Sequence, residues 1–306
     1  MPNENFSALK TETQNPNTLH IDSLPAADVV RLIHREDHTV ADAVDSQLDK
    51  IAQVAEMARD SIQSGGRLIY LGAGTSGRLG VLDASECRPT FGVPDGVVIG
   101  LIAGGERAMF QAVEGAEDSL TLGGEDLRKR NAGPKDTVIG IASSGRTPYV
   151  IGALTYARTA GCKTASISCV PDAAISKLAD VPIEAVTGPE ALTGSTRMKA
   201  GTAQKMILNM ISTSAFILCG KSYGNLMVDV QPTNEKLVAR AIRILCTSLE
   251  CGEQKAFSLF EASGRRVKTA IVMGLCDCQK EDAELLLASH GDRIADAVAG
   301  FDSGEG

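Results

Sequence analysis

A chain of 306 residues that is 43% apolar has room for one large α/β domain with a smaller one appended, and with no tryptophan and 4% aromatics its core must rest on Ala, Val, Ile and Leu. The formal charge of -8, without any basic stretch interleaved with aromatics, excludes an electrostatic footprint for nucleic acid. No run of about 18 apolar residues is present to span a membrane. The polar N-terminus MPNENFSALKTETQNPN lacks the apolar core of a signal peptide, so a cytoplasmic location is expected.

Beyond that polar arm, apolar positions recur at helical spacing over 26–35 and again over 39–64, where Val40, Val44, Leu48, Ile51, Val54, Ala58 and Ile62 share a face. Ser64-Gly65-Gly66 stops the second helix. Short apolar runs then alternate with helical stretches. Strands are predicted near 67–72, 97–102, 137–142, 164–169 and 181–186, and helices near 76–87, 106–113, 147–160 and 172–179. Such alternation implies right-handed crossovers and an α/β fold with a doubly wound, five-stranded parallel sheet. Pro182 puts the last strand at an edge, because proline cannot donate to a central ladder.

A long helix over 198–219 is apolar on a broad face and reads as core, with part of that face open to a second subunit. From 233 onward helices are predicted near 233–247, 253–262, 267–275, 280–288 and 292–298, punctuated by Gly252, Gly264 and Gly291, as in a small all-helical domain. The eight cysteines include no CxxC pair and mostly sit in apolar segments, so reduced, buried thiols are expected. The four histidines have no HExxH or similar spacing, and no metal is expected.

The first predicted strand runs into Gly72-Ala73-Gly74-Thr75-Ser76-Gly77, which spells the GxGxxG of a dinucleotide turn. That reading also needs an acidic residue at the end of the next strand to take the ribose hydroxyls. Here the strand ends in Ala103-Gly104-Gly105, and Glu106 comes too late. Thr75 and Ser76 instead add hydroxyl donors to a helix N-terminus, which makes a phosphate cradle. A second loop, Ser143-Ser144-Gly145-Arg146-Thr147-Pro148, repeats the chemistry after another strand. Alone, either set of hydroxyls is also explained by helix capping; as a pair at one sheet edge they fit convergence on one phosphate. Two glutamates are candidates for proton transfer. Glu86 falls near the end of the predicted helix, where the dipole favours an acid-competent carboxyl, and Glu117 belongs to a cluster with Glu114 and Asp118; taken alone, a solvated face is the commoner explanation of each.

The blocks GRLIYLGAGTSGRLGVLDASEC, GLIAGGERAMFQAVEGAEDS, GIASSGRTPYV, VTGPEALTGSTRMKAGTAQKMILNMIST and KSYGNLMVDVQPTNEKL closely resemble those of the N-acetylmuramic acid 6-phosphate etherases. The likeness begins at KTETQNPNTLHID in the arm and runs into the helical tail. It implies a sugar isomerase (SIS) fold, a fold that also includes the glucokinase regulatory protein. The expected layout is an arm with helices over 1–56, an SIS phosphosugar-binding catalytic domain over 57–221, and a linker with a small helical domain over 222–306.

The resemblance further implies a cytoplasmic homodimer with its active site near the interface, acting in the recycling of cell-wall amino sugar. The activity it implies is cleavage of the D-lactyl ether at C3 of the sugar phosphate, without metal, nucleotide or other cofactor. Carried over by position, the acid catalyst falls on Glu86 and the second catalytic glutamate on Glu117. Phosphate and sugar binding falls on Thr75, Ser76, Ser143, Ser144, Gly145 and Thr147. Arg88 stands where many members have proline, two residues past Glu86, close enough to tune that acid. A phosphosugar aldose-ketose isomerase and a non-catalytic sugar-phosphate sensor are the alternatives on the same scaffold.

Overall fold

The structure is a computed structural model that describes residues 12–111, 113–230, 232 and 234–303. The start of the polar arm and Thr233, the first residue of a predicted helix, lie outside these. Two compact units emerge. One comprises the chain up to Ser85 with Gly96–Ser212, and the other comprises Glu86–Asp95 with the chain from Thr213 on.

The first unit opens with α1 (Ala26–Asp37), α2 (Thr39–Asp45) and α3 (Leu48–Gln63). The single helix predicted over 39–64 is thus broken. Gln47 leaves helical geometry, its backbone N–H closes the preceding turn on the Val44 carbonyl at 2.9 Å, and its side-chain oxygen accepts from the Glu184 N–H at 3.0 Å. That tertiary bond rewards the break. Then follow β1 (Leu68–Gly72), α4 (Gly74–Phe91), β2 (Val98–Ile102), α5 (Leu122–Lys129), β3 (Thr137–Ile141), α6 (Pro148–Thr159), β4 (Lys163–Ser168), β5 (Val181–Glu184) and α7 (Lys199–Leu218), the ends of α4 from Glu86 and of α7 from Thr213 being counted with the other unit. All five strands stand within a few residues of their predicted places. The helices predicted over 106–113 and 172–179 are four-residue 3-10 turns, Glu106–Met109 and Ile175–Leu178, whereas α5 was not anticipated.

The five strands form one parallel sheet in the order β2-β1-β3-β4-β5, with β5 at the edge as Pro182 requires. Side chains alternate across it. Ile69, Leu71 and Val138 join Leu127, Tyr149, Val150 and Leu154 of α5 and α6 in one core. On the opposite side, the Ser61 hydroxyl of α3 meets that of Thr137 at 2.8 Å, and Gly80 of α4 lies against Tyr70. Helices on both faces make the doubly wound arrangement.

The second unit carries a short hairpin, β6 (Ser222–Tyr223) with β7 (Leu226–Met227), and the helices α8 (Glu235–Leu249), α9 (Glu253–Ala262), α10 (Val267–Cys276), α11 (Lys280–Ser289) and α12 (Ile294–Asp302). Their core gathers Ala241, Leu245, Phe260, Ile271 and Leu287. Buried Lys268 is paired with Asp229 at 3.1 Å and with Asp292. Among the described residues no helix is long and apolar enough to cross a membrane.

Candidate active site

The strand order fixes where a ligand can sit. From β1 the chain crosses to β2 on one side, and from β3 it crosses to β4 on the other, so β1 and β3 flank the switch point where open α/β sheets leave a crevice. The two hydroxyl loops leave the carboxyl ends of those two strands.

The first loop turns tightly into α4. A Cβ on Gly72 would stand 2.8 Å from the Gly77 nitrogen, one on Gly77 would stand 2.6 Å from the Gly72 carbonyl oxygen, and Gly74 has φ +53°. The glycines of GxGxxG are therefore explained by the turn itself, with no dinucleotide required. In the second loop Gly145 has φ +68°, and any side chain there would collide with Ala173. Thr147 is the N-cap of α6 but makes no side-chain cap hydrogen bond, and Pro148 fills the first helical position, where its missing N–H costs nothing.

The loops converge on an amide that the sequence reading did not single out. Gln204, wholly buried on α7, accepts from the Ser76 hydroxyl at 3.0 Å and donates to the Ser143 hydroxyl at 2.9 Å. Neither serine spends its hydroxyl on capping a helix. The same flank of α7 brings Gly201 to the Thr75 methyl, at the 3.5 Å a Cβ there would keep. Two turns further along, the buried Asp83 of α4 accepts from the Asn209 amide at 2.7 Å and the Ser212 hydroxyl at 3.1 Å. The polar pairs Ser76 with Gln204 and Asp83 with Asn209 join α4 and α7 side by side, running in the same direction.

Glu117 is exposed, yet its backbone is fixed beside the second loop, because the Glu117 carbonyl accepts from the Tyr149 N–H in the first turn of α6 at 3.0 Å. The segment after it presses so closely on α6 that a Cβ at Gly152 would overlap the Leu120 carbonyl. Glu86 is also exposed, with Leu82 one turn before it. One expectation about it changes. The helix continues through Pro89 to Phe91, so Glu86 lies more than a turn short of the end and the helix-end argument for an acid-competent carboxyl loses its basis. Arg88, two residues on, pairs with Asp95 at 2.8 and 3.0 Å.

Comparison with known proteins settles the family. Residues 49–158 match the family model of the glucokinase regulatory protein N-terminal SIS domain, and 122–214 match that of the SIS domain. The N-acetylmuramic acid 6-phosphate etherase of Erwinia tasmaniensis is 53% identical over 295 residues, covering 96% of this chain and 96% of that one. The protein of the same name from Actinobacillus pleuropneumoniae is 51% identical over 293 residues with 96% of each chain covered, and that of an Exiguobacterium species 57% over 275 residues, 90% of this chain and 94% of that one. The chain belongs to the N-acetylmuramic acid 6-phosphate etherase family.

In this etherase-family chain the block before α7 acts as an anchor for the helix that carries Gln204. Glu190 receives the Lys199 and Ala200 N–H groups at 2.8 and 3.0 Å, capping α7. Burial pushes the Glu190 carboxyl up despite those bonds. The Lys199 ammonium is buried against Glu36 of α1 at 2.7 Å, and Glu36 also receives the amides of Asn15 at 2.7 Å and Asn17 at 2.9 Å. Burial raises the Glu36 carboxyl, but the bonds from Lys199, Asn17 and Asn15 outweigh it and hold the group below its ordinary value. Thr18 donates to the Ala191 carbonyl at 2.8 Å, which lays the arm over the same block. The sequence signal for this anchor was a polar arm that matched the etherases, and composition alone gave it no role.

Proposed function

We propose that this etherase-family chain is a carbon-oxygen lyase that cleaves the D-lactyl ether of N-acetylmuramic acid 6-phosphate, giving N-acetylglucosamine 6-phosphate and D-lactate, in the cytoplasmic recycling of cell-wall amino sugar. The observation that carries the reading is the 53% identity, over 96% of both chains, to the Erwinia tasmaniensis etherase. The loops bridged by Gln204 at the switch point fit a phosphate anchor, which supplies binding energy remote from the bonds that change.

The chemistry needs acid and base and no redox partner. Opening the sugar ring leaves an aldehyde at C1 that acidifies the C2 hydrogen. As that proton leaves, its bonding electrons form the C2–C3 double bond, the C3–O bond breaks, and the lactate oxygen takes a proton. Water then adds at C3 and C2 is reprotonated, so the sum is substrate plus water to the two products. Glu86 is assigned the proton given to the ether oxygen, and Glu117, tethered beside the second loop, the C2 proton or the entering water. Thr75, Ser143, Ser144 and Thr147 are assigned to the phosphate and sugar, Ser76 belongs to the same site through its bond to Gln204, and Gly145 lets the backbone approach.

We further propose a homodimer with the site near its interface. Ten residues separate Ser76 from Glu86, about 15 Å of helix axis, a long reach for one phosphosugar held at Ser76. Both glutamates are exposed, and Leu82, Phe110 and Leu120 expose large apolar side chains nearby in sequence, which suits a covering second copy. The test is incubation with N-acetylmuramic acid 6-phosphate in deuterated and in oxygen-labelled water. D-lactate, deuterium at C2 and labelled oxygen at C3 of the product are expected. Deuterium exchange without lactate would mean an isomerase and overturn the proposal.

A further inference from the structure

A hydroxyl carries one proton, and a phosphate oxygen can only accept. Ser76 and Ser143 are both nearly buried at the mouth of the switch point, and both touch the amide of Gln204. The amide offers them one acceptor and one donor. Ser76 gives its proton to the Gln204 carbonyl oxygen; Ser143 receives a proton from the Gln204 nitrogen and so keeps its own. The two serines, alike in sequence context, are therefore unlike in what they can offer an anion.

We propose that Gln204 is a positioning residue that spaces the two loops and assigns their protons, leaving Ser143 as the hydroxyl that donates to the substrate phosphate and holding Ser76 as its spacer. This rests on the phosphosugar reading of the site above. A wholly buried amide is costly unless both its ends are satisfied, and here each end is satisfied by a different loop. The bridge thus makes the loop spacing and the donor assignment one feature.

The test reads inorganic phosphate binding by competition with the sugar substrate and, independently, by the thermal shift phosphate induces. Ser143→Ala is expected to weaken phosphate about 10- to 100-fold, the loss of one hydrogen bond to a charged group, and to raise KM more than it lowers kcat. Ser76→Ala is expected to weaken phosphate less; both variants lower the melting temperature, because each strands one end of the buried Gln204 amide. Gln204→Glu separates donor assignment from packing. Its carboxylate takes both serine protons and sets a negative charge beside the anion, so phosphate binding is lost at high pH. Binding returns on acidification, when the carboxylic acid again offers one donor and one acceptor.

Equal or larger phosphate loss in Ser76→Ala overturns the proposal, as does wild-type, pH-independent phosphate binding in Gln204→Glu. Should Gln204→Glu fail to fold, the contrast between the two serine variants still decides. Should the wild-type protein bind phosphate yet release no D-lactate, the lyase reading fails while the serine contrast continues to judge Gln204.

Discussion

Replacing Lys199 by methionine isolates the anchor of α7. The side chains of Lys199 and Glu36 are only 3% and 9% exposed, and their charged atoms are 2.7 Å apart, so the change leaves a carboxylate buried without its counter-charge. Removing one partner of such a pair costs about 3–5 kcal/mol. Asn15 and Asn17 keep their bonds to Glu36, which places the loss near the low end, about 3 kcal/mol, or about 6–12 °C in melting temperature for a unit of this size. Urea unfolding across pH measures it. In the wild type the Glu36 carboxyl is held below its ordinary 4.5, so its stabilisation is present above 4.5 and fades as pH falls through the folded value. In Lys199→Met the opposing bond is gone and burial favours the protonated acid, so the penalty is largest near neutral pH and shrinks on acidification. A second change, Glu36→Leu, should recover most of the loss, since it removes the stranded charge. A penalty below about 1 kcal/mol, or one that grows as pH falls, would refute the reasoning.

On the proposed roles, Glu86→Gln and Glu117→Gln should each slow D-lactate release about a hundredfold or more, while leaving the melting temperature within a degree or so because both side chains are exposed. Gly145→Ala should cost about 1–3 kcal/mol, since it forces a side chain to φ +68° and against Ala173, and should raise KM for the sugar phosphate; unfolding and steady-state kinetics on one preparation check both. Burial pushes the thiol of Cys169 up to about 12 and that of Cys162 up to about 11, so brief iodoacetamide treatment of the folded protein near neutral pH should leave both unmodified and D-lactate release intact, as peptide mapping would establish.

The centre of the sheet was legible because β1 and β3 are short, mainly apolar runs, the pattern a strand buried on both faces must have. What escaped was set by tertiary contact. The helix α5 carries Gly123-Gly124 in its first turn, which reads as a stop, yet a Cβ at Gly123 would overlap the Tyr149 carbonyl; the glycines that weaken the helix locally are what let it lie against α6. Likewise the break between α2 and α3 follows from a bond to a strand 137 residues away. Local pattern cannot carry either.

The two loops of the site were readable for a related reason: glycine and hydroxyl chemistry at the end of a strand is local. Their connection was not, since Ser76 and Ser143 meet at a residue 128 and 61 positions further along. A signal was present all the same. The broad apolar face of α7 is interrupted by Gln204, Asn209 and Ser212, and each interruption finds a polar partner, the serines of the loops for Gln204 and Asp83 of α4 for the other two. An amide that interrupts an apolar helix must be satisfied by something, and in a sheet that opens at its carboxyl edge the groups within reach are those of the ligand loops. On the proposed reading, the long helix read from the sequence as core or subunit surface would also be the rear wall of the phosphate site, with Gln204 marking the turn beside the loops and Asn209 and Ser212 the turns that bind α4.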